Sequence, residues 1–154
     1  MTRHLLLTSL LMMAVWFATL APAHAQATFG LRAGLSADPD QFFIGGHVES
    51  PGLTQQGHLT FRPNAEVGFG SDQTLISGNL EFVYWVQYPG SQWSSYFGAG
   101  PSINFVHTDL DSRAHGGFSG LVGFQHRGGL FIEMKSGGGS AAGLKATLGY
   151  VLKR

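Results

Sequence analysis

His58-Leu59-Thr60-Phe61-Arg62-Pro63-Asn64-Ala65-Glu66-Val67-Gly68-Phe69-Gly70 is the stretch that decides the fold. Leu59, Phe61, Pro63, Ala65, Val67 and Phe69 form one set. Thr60, Arg62, Asn64, Glu66 and Gly68 form the other. A period of two is the pattern of a strand with one apolar and one polar face, because successive side chains leave a strand on opposite sides. No helical spacing sorts these residues so cleanly.

Working outward, 74–88 repeats the pattern. Ile76, Leu80, Phe82, Tyr84, Val86 and Tyr88 share one face, and Ser77, Asn79, Glu81 and Gln87 share the other, with Val83 and Trp85 as exceptions. In 92–108, Trp93, Phe97, Ala99, Pro101, Ile103 and Phe105 oppose Ser94, Tyr96, Gly98, Gly100, Ser102 and Asn104. Shorter segments agree at 28–36, 41–49, 117–125, 129–136 and 144–152. Turn residues separate them: Asp38-Pro39-Asp40, Pro51-Gly52, Ser71-Asp72, Pro89-Gly90, Asp109 to Ser112, Arg127-Gly128 and the 137–140 glycine tract. Eight strands with short connections make an antiparallel up-and-down meander. An even count lets the sheet close into an all-β barrel without edges.

The chain has 154 residues, no cysteine, 23 glycines and 12 phenylalanines. Lys plus Arg is 9 and Asp plus Glu is 9, which argues against a nucleic-acid partner. Without cysteine there are no disulfides, thiolate metal sites or cysteine nucleophiles. Met1 to His4 carries one firm positive charge, Leu5 to Leu20 is almost wholly apolar, and Ala23-His24-Ala25 is a small-residue cleavage site. Residues 1–25 therefore read as a secretory signal peptide, and 26–154 as one exported domain. No later stretch is apolar enough for a membrane helix.

The remaining question is which face of the barrel is inside. The apolar stripe from Leu59 to Phe69 matches the roughly 9–11 residues of a tilted membrane strand. The opposite face holds small polar residues and few charges, unlike a solvated surface. Those charges balance: Arg32, Arg62, Lys135 and Lys145 against Glu49, Glu66, Glu81 and Glu133. An eight-stranded interior is just wide enough to be filled by side chains, so these eight residues are expected to pair there as an ion network. Phe61, Phe82 and Phe105 are then expected to face lipid. Phe43, Tyr84, Tyr88, Trp93 and Tyr150, near strand ends, are candidates for interfacial girdles.

The chain resembles the small outer-membrane β-barrel family, which includes the transmembrane domain of outer membrane protein A. The resemblance covers about 28–154. It is carried by the strand pattern, by Tyr96-Phe97-Gly98-Ala99-Gly100, by Gly129-Leu130-Phe131-Ile132-Glu133-Met134-Lys135 and by Ala146-Thr147-Leu148-Gly149-Tyr150-Val151-Leu152. It implies a Gram-negative outer membrane, insertion by the barrel-assembly machinery and outer-membrane lipid as surroundings. Family members usually end on an aromatic residue, whereas this sequence ends Leu152-Lys153-Arg154. The longest expected connection, 108–116, is short for an adhesin.

The expected function is a non-enzymatic, porin-like barrel with a structural or narrow-channel role, monomeric and without cofactor. One alternative is a soluble exported barrel that binds a small apolar ligand among the phenylalanines. Another is a lipid-modifying hydrolase using His107-Thr108-Asp109 with Ser112, or His126. His115 with His126 meets no metal-ligand spacing.

Overall fold

The computed structural model describes residues 27–38, 40–71, 73–107, 112–139 and 143–152. The expected signal peptide, with Thr108, Asp109, Lys153 and Arg154, lies outside these residues. The chain forms β1 (Thr28–Ala37), β2 (Gln41–Glu49), β3 (Leu59–Phe69), β4 (Thr74–Gln87), β5 (Trp93–His107), β6 (Ser112–His126), β7 (Leu130–Gly139) and β8 (Leu144–Leu152). Each strand pairs antiparallel with the next, and β8 pairs with β1, so the sheet is a closed barrel.

Two boundaries differ from the sequence reading by more than one residue. β6 starts at Ser112 rather than 117, because the run 112–116 continues the ladder against 103–107 of β5. β7 runs on to Gly139, so Gly137 and Gly138 are strand residues rather than a turn. Both strands thus extend through residues of low strand propensity, which the neighbouring ladder overrides. The longest connection with every residue described is 50–58, at the end of the barrel that carries Thr28 and Leu152. The connections 88–92 and 127–129 share that end; the strand ends Ala37, Gln41, Phe69, Thr74, His107, Ser112, Gly139 and Leu144 lie at the other.

The register is staggered. From Thr28 the path runs through Glu49, Arg62, Glu81, Gly100, Ser119, Gly137 and Gly143, and it returns to β1 at Asp38. This shear of ten residues is the tilt that lets the sheet close.

The two faces of the wall are chemically opposite. Leu31, Leu35, Ile44, Phe69, Ile76, Leu80, Phe82, Phe97, Phe105, Val122, Ile132 and Leu148 are exposed on the outside. Arg32, Arg62, Glu66, Glu81, Glu133 and Lys135 are buried on the inside. Phe61 projects outward with Phe82, their ring centroids 5.2 Å apart. A soluble barrel binding an apolar ligand needs the reverse arrangement. Among the girdle candidates, Tyr84, Tyr88, Trp93 and Tyr150 face outward. Phe43 does not. It is 1% exposed and packs inside the barrel, because the alternation of β2 places it on the same face as Gln41 and His47.

Candidate functional site in the barrel interior

Inward glycines let the interior close. In four register rows a glycine sits between two long inward side chains: Arg32–Gly45–Glu66, Phe131–Gly149–Arg32, Tyr96–Gly123–Glu133 and Val83–Gly98–Leu121. A side chain at Gly45 would meet Glu66, and one at Gly149 would meet the Phe131 ring. Each glycine therefore leaves the space over which its two neighbours touch. Arg32 on β1 and Glu66 on β3 meet across β2 in this way, though no ladder bond joins their strands.

The eight charged residues singled out from the sequence all lie inside, and none is more than 9% exposed. Seven of them share ion pairs. The Arg32 guanidinium donates to Glu66 at 3.1 Å and approaches Glu133 at 3.5 Å. Arg62 donates to Glu81 from Nε at 3.3 Å and to Glu133 from Nη2. Lys135 reaches Glu81 at 2.6 Å and Glu66 at 3.4 Å, and Lys145 reaches Glu66 at 2.7 Å. The eighth, Glu49, accepts a hydrogen bond from Trp85 Nε1 at 2.9 Å, and the same indole N–H lies 3.1 Å from Thr60 Oγ1. Glu66, Glu81 and Glu133 therefore each face at least two cations, which is the condition under which buried charge is tolerated. Rings complete the cage: Arg62 lies 5.0 Å over Tyr96, Arg32 5.7 Å over Phe131, and Lys145 Nζ 5.0 Å over Phe43.

Sequence reasoning did not single out the second interior layer. Val83, Tyr96 and Leu121 form a buried apolar cluster with Trp85 packed against it. Val83 and Trp85 were the two exceptions in β4; the structure places them inside, where they fill the half of the lumen nearer the chain ends. The Trp85 and Tyr96 rings pack at a tilt of 44° with centroids 4.7 Å apart. Tyr96 ties the two layers together, because its hydroxyl donates to Glu133 at 3.1 Å. His47, also missed, accepts from the Arg32 guanidinium at 3.4 Å and packs edge-on against Phe131. Its signal was its place on the polar face of β2, opposite Gly30.

The histidines do not gather into a reaction centre. His107 ends β5 at one rim of the barrel and His126 ends β6 at the other. His115 and His126 lie on one strand, eleven positions and roughly 36 Å apart, too far to share a metal ion. Among the described residues no cluster of three His, Cys, Asp or Glu could hold a metal. The carboxylates of Glu66, Glu81 and Glu133 are engaged by cations.

Compared by sequence, the chain matches no family model and no curated protein. Compared by structure, it is similar to the N-terminal β-barrel domain of Pseudomonas aeruginosa OprF. That match has a TM-score of 0.66 and 13% identity, and covers 84% of this chain and 100% of the domain. It is also similar to Neisserial surface protein A, with a TM-score of 0.60 and 13% identity over 83% of this chain and 96% of the other. The shared feature is the fold: the chain is a closed eight-stranded antiparallel β-barrel.

Proposed function

We propose that the protein is a monomeric, non-enzymatic barrel of the outer membrane, exported by its N-terminal segment and inserted by the barrel-assembly machinery. Its role is structural, or that of a narrow channel that is closed at rest. One observation carries this reading: an apolar outer wall surrounds an interior occupied by mutually paired charges and packed rings. The wall fits lipid. The paired interior leaves no wide aqueous path, and its carboxylates are held by cations rather than poised for proton transfer.

Two measurements test it. The mature chain, expressed from its full-length sequence, is expected in the outer-membrane pellet after a carbonate wash. Recovery in the soluble periplasmic fraction would overturn the membrane placement. In planar lipid bilayers the purified barrel is expected to give only small, infrequent conductance steps. A large continuous conductance would show that the interior is not closed.

A further inference from the structure

The termini-side mouth of the barrel holds a cavity of about 240 Å³ that the ion network does not use. Its inward wall is a single register row, Gln87–Ser94–Gln125, and Trp85, from the next row inward, lines its floor. Gln92 and Arg127 line it from the two turns above. These turns are latched together: the Arg127 main-chain N–H donates to the Gln92 carbonyl at 2.7 Å.

A short hydrogen-bond relay sets which groups face the cavity. The Gly128 N–H donates to His126 Nδ1 at 2.9 Å, so the ring proton sits on Nε2. Nε2 then donates to Gln92 Oε1 at 3.0 Å. With its oxygen engaged, Gln92 has its two amide hydrogens left to offer. Trp93 packs edge-on against the His126 ring at 5.0 Å and fixes its plane. The donors of Gln92 join the exposed guanidinium of Arg127.

Among the described residues at this end no acidic side chain competes for these donors. The three connections at this end, 50–58, 88–92 and 127–129, contain no Asp or Glu. Glu49, in the strand beside them, holds the Trp85 indole. All five aspartates of the chain fall between strands that meet at the opposite end. A set of amide and guanidinium donors with no acidic side chain among the described residues beside it is complementary to an oxyanion, and a guanidinium can grip a carboxylate or phosphate with two parallel bonds. We propose that this vestibule binds a small oxyanion group, a carboxylate or a phosphate, with Arg127 and Gln92 as its principal donors. The proposal does not depend on whether the lumen conducts.

The test uses the mature protein folded in dodecyl maltoside, a detergent without phosphate. Sodium acetate and sodium phosphate are titrated against sodium chloride at matched ionic strength. Proton–nitrogen NMR follows the Gln92 side-chain amide, the Arg127 Nε–H and the Gly128 amide. Saturable shifts at these three groups are expected with acetate or phosphate. Arg127→Gln should raise the apparent Kd about tenfold, as loss of one charge-assisted hydrogen bond does. Arg113→Gln, at the opposite end, should leave it unchanged. Saturation only with dihexanoyl phosphatidylglycerol would keep the oxyanion chemistry and assign it to a lipid headgroup. No saturation with any probe, or equal affinity in Arg127→Gln with its strand amides undisturbed, would overturn the site.

Discussion

The lumen is filled twice, by different physics. Near the chain ends, Val83, Trp85, Tyr96 and Leu121 pack as a small apolar core. In the middle, Arg32, Arg62, Lys135 and Lys145 interlock with Glu66, Glu81 and Glu133. The apolar layer is additive: each side chain contributes by area, and a loss is graded. The charged layer is not. Its members are stable only as a set, because a buried charge deprived of its partner keeps its desolvation cost. One layer should therefore yield by degrees, and the other should fail when a single member is lost.

Glu133→Leu gives the largest expected effect. Glu133 receives Arg62, Arg32 and the Tyr96 hydroxyl. Removing its carboxylate leaves Arg32 with Glu66 alone and Arg62 with Glu81 alone, and raises the buried excess of positive charge. The variant should lose about 3–5 kcal/mol of stability in reversible urea unfolding in lipid vesicles, followed by Trp85 and Trp93 fluorescence. A loss below about 1 kcal/mol would mean that the charges are not interdependent and that the contrast between layers is unreal.

Tyr96→Phe probes the joint between the layers and should cost less. The ring can stay against Trp85 and under Arg62, while the hydrogen bond to Glu133 disappears. A hydrogen bond to a charged group is worth about 1.5–3 kcal/mol, so this range is expected in the same assay. An effect as large as that of Glu133→Leu would show that the apolar layer is held in place by the charges and does not stand alone.

The two layers were unequally legible in the sequence. Strict alternation put every charged member on the inward face, because in a strand the face follows from parity alone. The sign balance then pointed to pairing. Which charge meets which could not be read, since Arg32 reaches Glu66 across an intervening strand and Glu133 from the far side of the closure. Those contacts depend on register and shear, which the strand pattern leaves open. The apolar layer was visible only as a blemish, Val83 and Trp85 on an otherwise polar face. Its other half, Tyr96 and Leu121, sits on neighbouring strands and becomes a cluster only when Gly98 and Gly123 bring the walls together. Phe43 was misassigned for a related reason: its type suggests an interface, but its parity places it inside, against the space left by Gly34.

Ser119→Ala is the smallest expected effect, and it asks whether a third kind of interior exists. Ser119 is 2% exposed on the inward face of β6, and its hydroxyl has no hydrogen-bond partner among the described residues. It belongs neither to the ion network nor to the apolar cluster. Alanine removes the hydroxyl without opening a cavity larger than one oxygen, and it relieves a buried polar atom of its desolvation cost. The change in stability should stay within about 0.5 kcal/mol, or favour the variant. A loss above about 1 kcal/mol would show that the hydroxyl is satisfied in the membrane, and a satisfied hydroxyl at that depth requires water beside it. The division into a charged and an apolar layer would then need a hydrated path running along β6, past both.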